Sequence, residues 1–72
     1  MKIYIVVNGD VSDGAENAGV HQVENYAIEQ ANELMSVGEW SEAQQFDTGY
    51  CSCITWFRND DFVCIETWEL EY

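Results

Sequence analysis

Apolar residues occupy both parities in residues 2–7, KIYIVV, and most of them are β-branched or aromatic. That pattern predicts a central strand with both faces buried. Polarity changes abruptly at residues 8–19, NGDVSDGAENAG, where three glycines and three acids follow no period. The expectation there is a loop of about twelve residues, long for a small domain and of a length that is often functional or mobile. Over residues 20–37 the period becomes helical. Val20, Val23, Ala27, Ala31, Leu34 and Met35 fall on one side, with Tyr26 and Ile28 flanking, and polar residues occupy the other. Glu24 suits the start of the helix and Gly38 its C-terminal stop. A short strand is expected near 43–47, with Trp40 and Phe46 as core contacts.

Residues 50–57 and 62–70 predict two strands around Arg58-Asn59-Asp60-Asp61. An Asn-Asp turn suits a hairpin, because both residues tolerate positive φ comparatively well. That register sets Arg58 opposite Asp61 and Phe57 opposite Phe62. One face then carries Ile54, Trp56, Val63 and Ile65, the better candidate to receive the helix. The other carries Cys51, Cys53, Cys64, Phe57, Phe62 and Trp68. The expected fold is α+β, one domain over 1–72, with a helix packed on a three- to four-stranded antiparallel sheet in the order β-loop-α-β-β-β. One helix cannot cover both faces. The face with Phe57, Phe62 and Trp68 therefore needs a second cover: the chain's own loop and the 39–47 segment, a dimer mate, or a target protein.

All three cysteines lie within residues 51–64. An odd count argues against a disulfide framework and fits a reducing compartment. Same-face neighbours on a strand lie roughly 7 Å apart, which is poor for bridging Cys51 to Cys53. The C-x-C spacing lacks a zinc knuckle, and His21, the single histidine, projects from the predicted polar side of the helix start. A nucleophilic thiol needs a base and a positive surrounding, and the chain is strongly negative. The expectation is packing side chains, with no cofactor and no metal.

Charge changes the picture most. Fourteen Asp and Glu stand against Lys2 and Arg58, a net charge of −12. Self-repulsion of this size opposes compaction, while ten aromatics and 47% apolar residues exclude a disordered acidic tail. Direct binding to nucleic acid or to an anionic membrane is disfavoured, since the phosphate interaction would be repulsive. No stretch approaches the roughly 20 apolar residues that span a bilayer, and the opening apolar run is short for a secretory signal. A cytoplasmic protein is expected. The charge serves solubility and salt tolerance, or it is a working surface aimed at a basic protein.

The acids fall in sets. Asp10, Asp13 and Glu16 lie in the 8–19 segment, Glu29 and Glu33 on the exposed helix face, and Asp60 and Asp61 at the hairpin tip. Glu69 and Glu71 share one side of the last strand, while Glu66 points to the other. Asp10-x-x-Asp13-x-x-Glu16 lacks the ligand order and glycine of a calcium loop. So short a chain leaves little room for a cleft holding a glycosidase acid and base, so no enzyme is expected. Carboxylates at spacings of several Å can instead occupy a Lys/Arg groove built for phosphates, with fast and salt-sensitive association.

In size, organisation and charge, the opening strand MKIYIVVNGD, the helix VENYAIEQANELMSVGEW and the acidic aromatic end FVCIETWELEY resemble small acidic inhibitors encoded by phages and mobile elements, the anti-CRISPR proteins among them. The resemblance implies binding in a bacterial host to a basic nucleic-acid-binding protein, such as a CRISPR effector complex, so that guide or target engagement is blocked without catalysis. It carries over no functional residue. The alternative is a binding module or homodimer that uses Phe57, Phe62 and Trp68.

Overall fold

The computed structural model describes residues 1–70. The chain forms β1 (Lys2–Asp10), β2 (Gly14–His21), α1 (Glu24–Leu34), β3 (Gln44–Asp47), β4 (Ser52–Arg58) and β5 (Asp61–Glu69). The strands make one antiparallel sheet in the order β2-β1-β5-β4-β3. The α+β class stands, with the helix packed on one sheet face. The sheet has five strands rather than three or four, and the order is β-β-α-β-β-β.

The difference lies at residues 8–19, which form a hairpin and not a loop. β1 continues through Asp10, whose Oδ1 accepts a hydrogen bond from the Ser12 amide at 2.7 Å, and the turn closes on Gly14 at φ +96°. β2 is an edge strand and largely exposed, so backbone pairing to β1 holds it without an apolar alternation. Its register shifts between Val6↔Gly19 and Val7↔Asn17, leaving Ala18 as the extra residue of a β-bulge. Residues 20 and 21 consequently belong to the strand, and the helix is shorter than its apolar period implied.

The β4–β5 hairpin has the expected register from Ser52↔Thr67 to Arg58↔Asp61. Of the two turn residues only Asn59 takes positive φ, at 53°. β3 lies where a short strand was expected.

Alternation assigns every strand residue to a face. Tyr4, Val6, Val63 and Ile65 point toward the helix, where they are buried with Ala27 and Ala31. Alanine at these two helix positions lets α1 sit close to β1, β2 and β5, the strands it touches. Ala18, Leu34, Met35, Trp40 and Trp56 pack around this core. The face with Val63, Ile65 and Trp56 thus receives the helix, as its apolar pairs implied. Val20 and Val23 do not contribute as expected: they are 57% and 47% exposed. Trp40 reaches the core, whereas Phe46 is 48% exposed on the opposite sheet face.

Candidate partner-binding surfaces

The two hairpins bring four of the predicted acids to one end of the sheet. Asp10 pairs across from Asp61, and the Val11 amide donates to the Asp60 carbonyl at 2.9 Å, so the β1–β2 and β4–β5 tips are joined. Asp13 lies in the first turn and Asp60 in the second. Like charges directly across a strand pair are unfavourable, so Asp10 and Asp61 need a cation. Arg58 supplies it. Its Nη2 donates to Asp61 Oδ2 at 3.1 Å, its Nη1 donates to the Val37 carbonyl, and its guanidinium lies 4.8 Å from the centre of the Trp40 ring. The Trp40 indole N–H donates to the same carbonyl at 3.1 Å. Gly38, at φ +91°, makes room for this: a Cβ there would come 2.5 Å from Arg58 Nη1. A cavity of about 540 Å³ lies between the tips and the end of the helix, lined by Asp10, Asp13, Glu16, Arg58, Asp61 and Trp40, among others.

The remaining predicted acids lie elsewhere. Glu29 and Glu33 are exposed on α1, one turn apart. Glu69 is at the far end of β5, its carboxylate 3.9 Å from the N-terminal amine. Eight residue steps at about 3.3 Å set Glu69 roughly 26 Å from Asp61, too far for one patch. Glu71 lies outside the described residues. Among the described residues the ion pairs are Arg58–Asp61 and the N-terminal amine with Glu69, so most acids have no cationic partner.

Register also separates the predicted strand acids from Phe57, Phe62 and Trp68. On the strands, Lys2, Asp10, Glu16, Asp47, Arg58, Asp61 and Glu69 all alternate to the helix side. Phe57 and Phe62, directly paired, and Trp68 alternate to the opposite side with Ile3, Ile5, Val7, Cys53, Thr55 and Cys64. The acidic and aromatic sets therefore form two surfaces, not one interleaved surface. Neither the 8–19 hairpin nor the 39–47 segment covers the aromatic face. The hairpin extends the sheet sideways, and Ser41 and β3 run along the β4 edge, where the Ser41 amide donates to the Phe57 carbonyl at 2.8 Å.

The cysteines lie in or beside this open face. Cys51 and Cys53 have their sulfurs 3.7 Å apart, in contact as thiols and closer than strand spacing implied. The Cys51 carbonyl is held by the Thr48 hydroxyl at 3.2 Å, which turns the chain just before β4 begins. Burial, then the hydrogen bond to Cys51, pushes the Cys53 thiol up to about 12. Burial also raises Cys64, against hydrogen bonds from Thr55 and Cys53 that lower it. Among the described residues no group of three or more His, Cys, Asp or Glu is arranged to hold a metal ion, which includes Asp10, Asp13 and Glu16.

Two side chains to which the sequence gives no role, Gln30 and Glu66, contribute here. Gln30 on α1 donates from Nε2 to the Ala18 carbonyl at 2.7 Å, and its Oε1 lies 2.6 Å from His21 Nε2. Ala18 offers only an acceptor, so the amide nitrogen must face it, Oε1 must accept, and His21 must carry its proton on Nε2. Gln30 thereby ties the bulge of β2 to the helix, and a Cβ at Gly19 would overlap its side chain. The second is Glu66, half-buried at the middle of the open face, whose Oε1 accepts the Trp68 indole N–H at 3.0 Å.

No helix among the described residues is long and apolar enough to cross a membrane. No family model, curated protein or solved structure matches this chain.

Proposed function

We propose that this protein is a phage-type inhibitor of the anti-CRISPR kind, acting in the bacterial cytoplasm without catalysis. In this proposal it binds a basic nucleic-acid-binding protein, such as a CRISPR effector complex, and blocks nucleic-acid engagement. The observation that carries the proposal is the joining of the two acidic tips. Asp10, Asp13, Asp60 and Asp61 converge on a hydrogen-bonded end of the sheet that holds one cation, Arg58, already engaged by Trp40, Val37 and Asp61. Neighbouring strands lie about 4.8 Å apart, so carboxylates on such an end stand at spacings on the scale of nucleic-acid phosphates. Glu29 and Glu33 add a separate acidic set on the exposed face of the helix.

A second reading, a non-mimic binding module or homodimer, is favoured by one specific feature: the sheet face with the partly exposed Phe57, Phe62 and Trp68, over which no helix or strand of the described residues is layered.

Plasmid interference distinguishes these readings in bacteria with an active CRISPR system. Expression of the protein is expected to restore transformation by a targeted plasmid, and affinity for the purified effector should fall steeply with salt. The quadruple charge reversal at Glu29, Glu33, Asp60 and Asp61 should abolish both effects. An interaction indifferent to salt and to that reversal would remove the mimic proposal, while a dimer lost on Phe62→Asp would establish the second reading.

A further inference from the structure

A single carboxylate sits in the middle of an otherwise uncharged strand surface. Across the open face, successive pairings Val20↔Ile5, Ile5↔Glu66, Cys53↔Glu66 and Phe46↔Cys53 form one row with Glu66 at its centre, on the third of five strands. On either side lie Ile3 with Trp68, and Val7 with Cys64 and Thr55. Every other charged residue of the five strands alternates to the helix side. Glu66 is also fixed in place, since the Trp68 indole N–H holds Oε1 at 3.0 Å. A half-buried carboxylate among apolar side chains loses hydration, and a cation brought against it in a dry contact would restore the lost interaction.

The charge pattern selects the occupant. A second copy stacked symmetrically on this face would bring Glu66 near its own counterpart and join two bodies of net charge −12. Anionic lipid and nucleic acid meet the same repulsion. What complements a broad apolar face with one central negative charge is an apolar surface with a positive charge in its middle. We propose that the open face binds a basic amphipathic helix of a protein partner. Its apolar side chains pack on Ile5, Val7, Phe62 and Trp68, and an Arg or Lys meets Glu66. The opposite face of the same sheet already accepts a helix, α1, in this layered way. The inference rests on the partner being basic, as in the proposed function, but assigns it a second surface, separate from the acidic tips.

A synthetic fourteen-residue Leu/Lys amphipathic helix serves as the probe, with a Leu/Glu helix of the same pattern as control, each titrated into the labelled protein by amide NMR. Shifts are expected at Ile5, Cys53, Glu66 and the Trp68 indole, with the Leu/Lys peptide only. Glu66→Gln keeps an acceptor for Trp68 and removes the charge, and should weaken binding about tenfold or more. Phe62→Asp should weaken it further. Glu24→Gln, an exposed acid at the start of α1 and outside both surfaces, should leave this binding within about twofold. Equal affinity of Glu66→Gln and the unaltered protein would overturn the inference, with Glu66 then acting only to keep sheets from stacking. Shifts confined to Glu29, Glu33 and the tips would overturn it while leaving the acidic-surface proposal standing. Sedimentation showing a dimer that Phe62→Asp dissociates would also overturn it, since a second copy would then occupy the face.

Discussion

The guanidinium of Arg58 lies over the Trp40 ring at 4.8 Å while Nη2 holds Asp61 at 3.1 Å. One side chain thereby connects the segment after the helix to the tip of the β4–β5 hairpin. It is also the cation nearest the Asp10–Asp61 pair, so its loss would remove a packing contact and expose a like-charge repulsion together. Arg58→Ala is expected to destabilise the fold by about 2 kcal/mol, from a cation–π contact, a hydrogen bond and a partly exposed ion pair. In a domain of this size that is a fall in Tm of roughly 10 °C. Arg58→Lys should recover part of it, because an ammonium lacks the planar fork. Urea and thermal unfolding check both, and an unchanged midpoint in Arg58→Ala would show that the latch contributes nothing.

Gln30 performs the equivalent task at the other hairpin. Gln30→Ala leaves the Ala18 carbonyl and the His21 ring without this partner, at a cost of about 1–3 kcal/mol. Gly19→Ala should cost a similar amount by displacing the Gln30 side chain rather than by altering β2 itself. The double variant is expected to be much less destabilised than the sum of the singles, since both remove one interaction. Denaturation of the four proteins gives that coupling directly, and strict additivity would contradict the clamp.

The thiols set an alkaline limit. Cys53 is raised to about 12 in the folded protein against an ordinary value of 9.0, so folding favours its protonated form. The stabilisation this provides is complete below pH 9 and is lost progressively as pH rises toward 12. Cys64 shifts in the same direction, through burial. Stability should therefore decline from pH 9 upward, and Cys53→Ser should flatten the decline. At pH 8 iodoacetamide should modify Cys53 in the folded protein more slowly than in urea by about two orders of magnitude or more, because thiolate is the reactive form. Equal rates, read by mass spectrometry, would contradict the burial argument.

Much of the sheet was legible because side-chain identity encoded its register. The Asn59-Asp60 turn, with apolar partners on each flank, fixed Phe57 against Phe62 and Ile54 against Ile65, and with them which face would meet the helix. The hairpin at residues 8–19 was not legible. An edge strand is specified by its backbone pairing, so GAENAGVH carries neither alternation nor aromatic anchors, and the amide that secures its bulge, Gln30, comes from a helix twelve residues later. Val20 was misassigned for the same reason: its apolar side chain continued the helical period by chance while it stood on the open sheet face. For the candidate surfaces, composition located the acids but not their neighbours. That Asp10 meets Asp61 depends on β1 lying beside β5, a long-range pairing with no local signature. Glu66 was more accessible, since alternation along the last strand already set it on the other side from Glu69.

The β1–β5 pairing that centres the sheet runs from Lys2↔Glu69 to Asp10↔Asp61, the most sequence-distant ladder in the molecule. On one side of it the β1–β2 hairpin and α1 are local to residues 2–34, and on the other β3, β4 and β5 form a meander over 44–69. Each half can assemble in microseconds through short loop closures, whereas the seam must overcome the entropy of bringing remote segments together. Docking of the two halves is then expected to limit folding, and in stopped-flow refolding substitutions at Val6 and Ile65, which face each other across the seam, should slow the rate more than those within either hairpin.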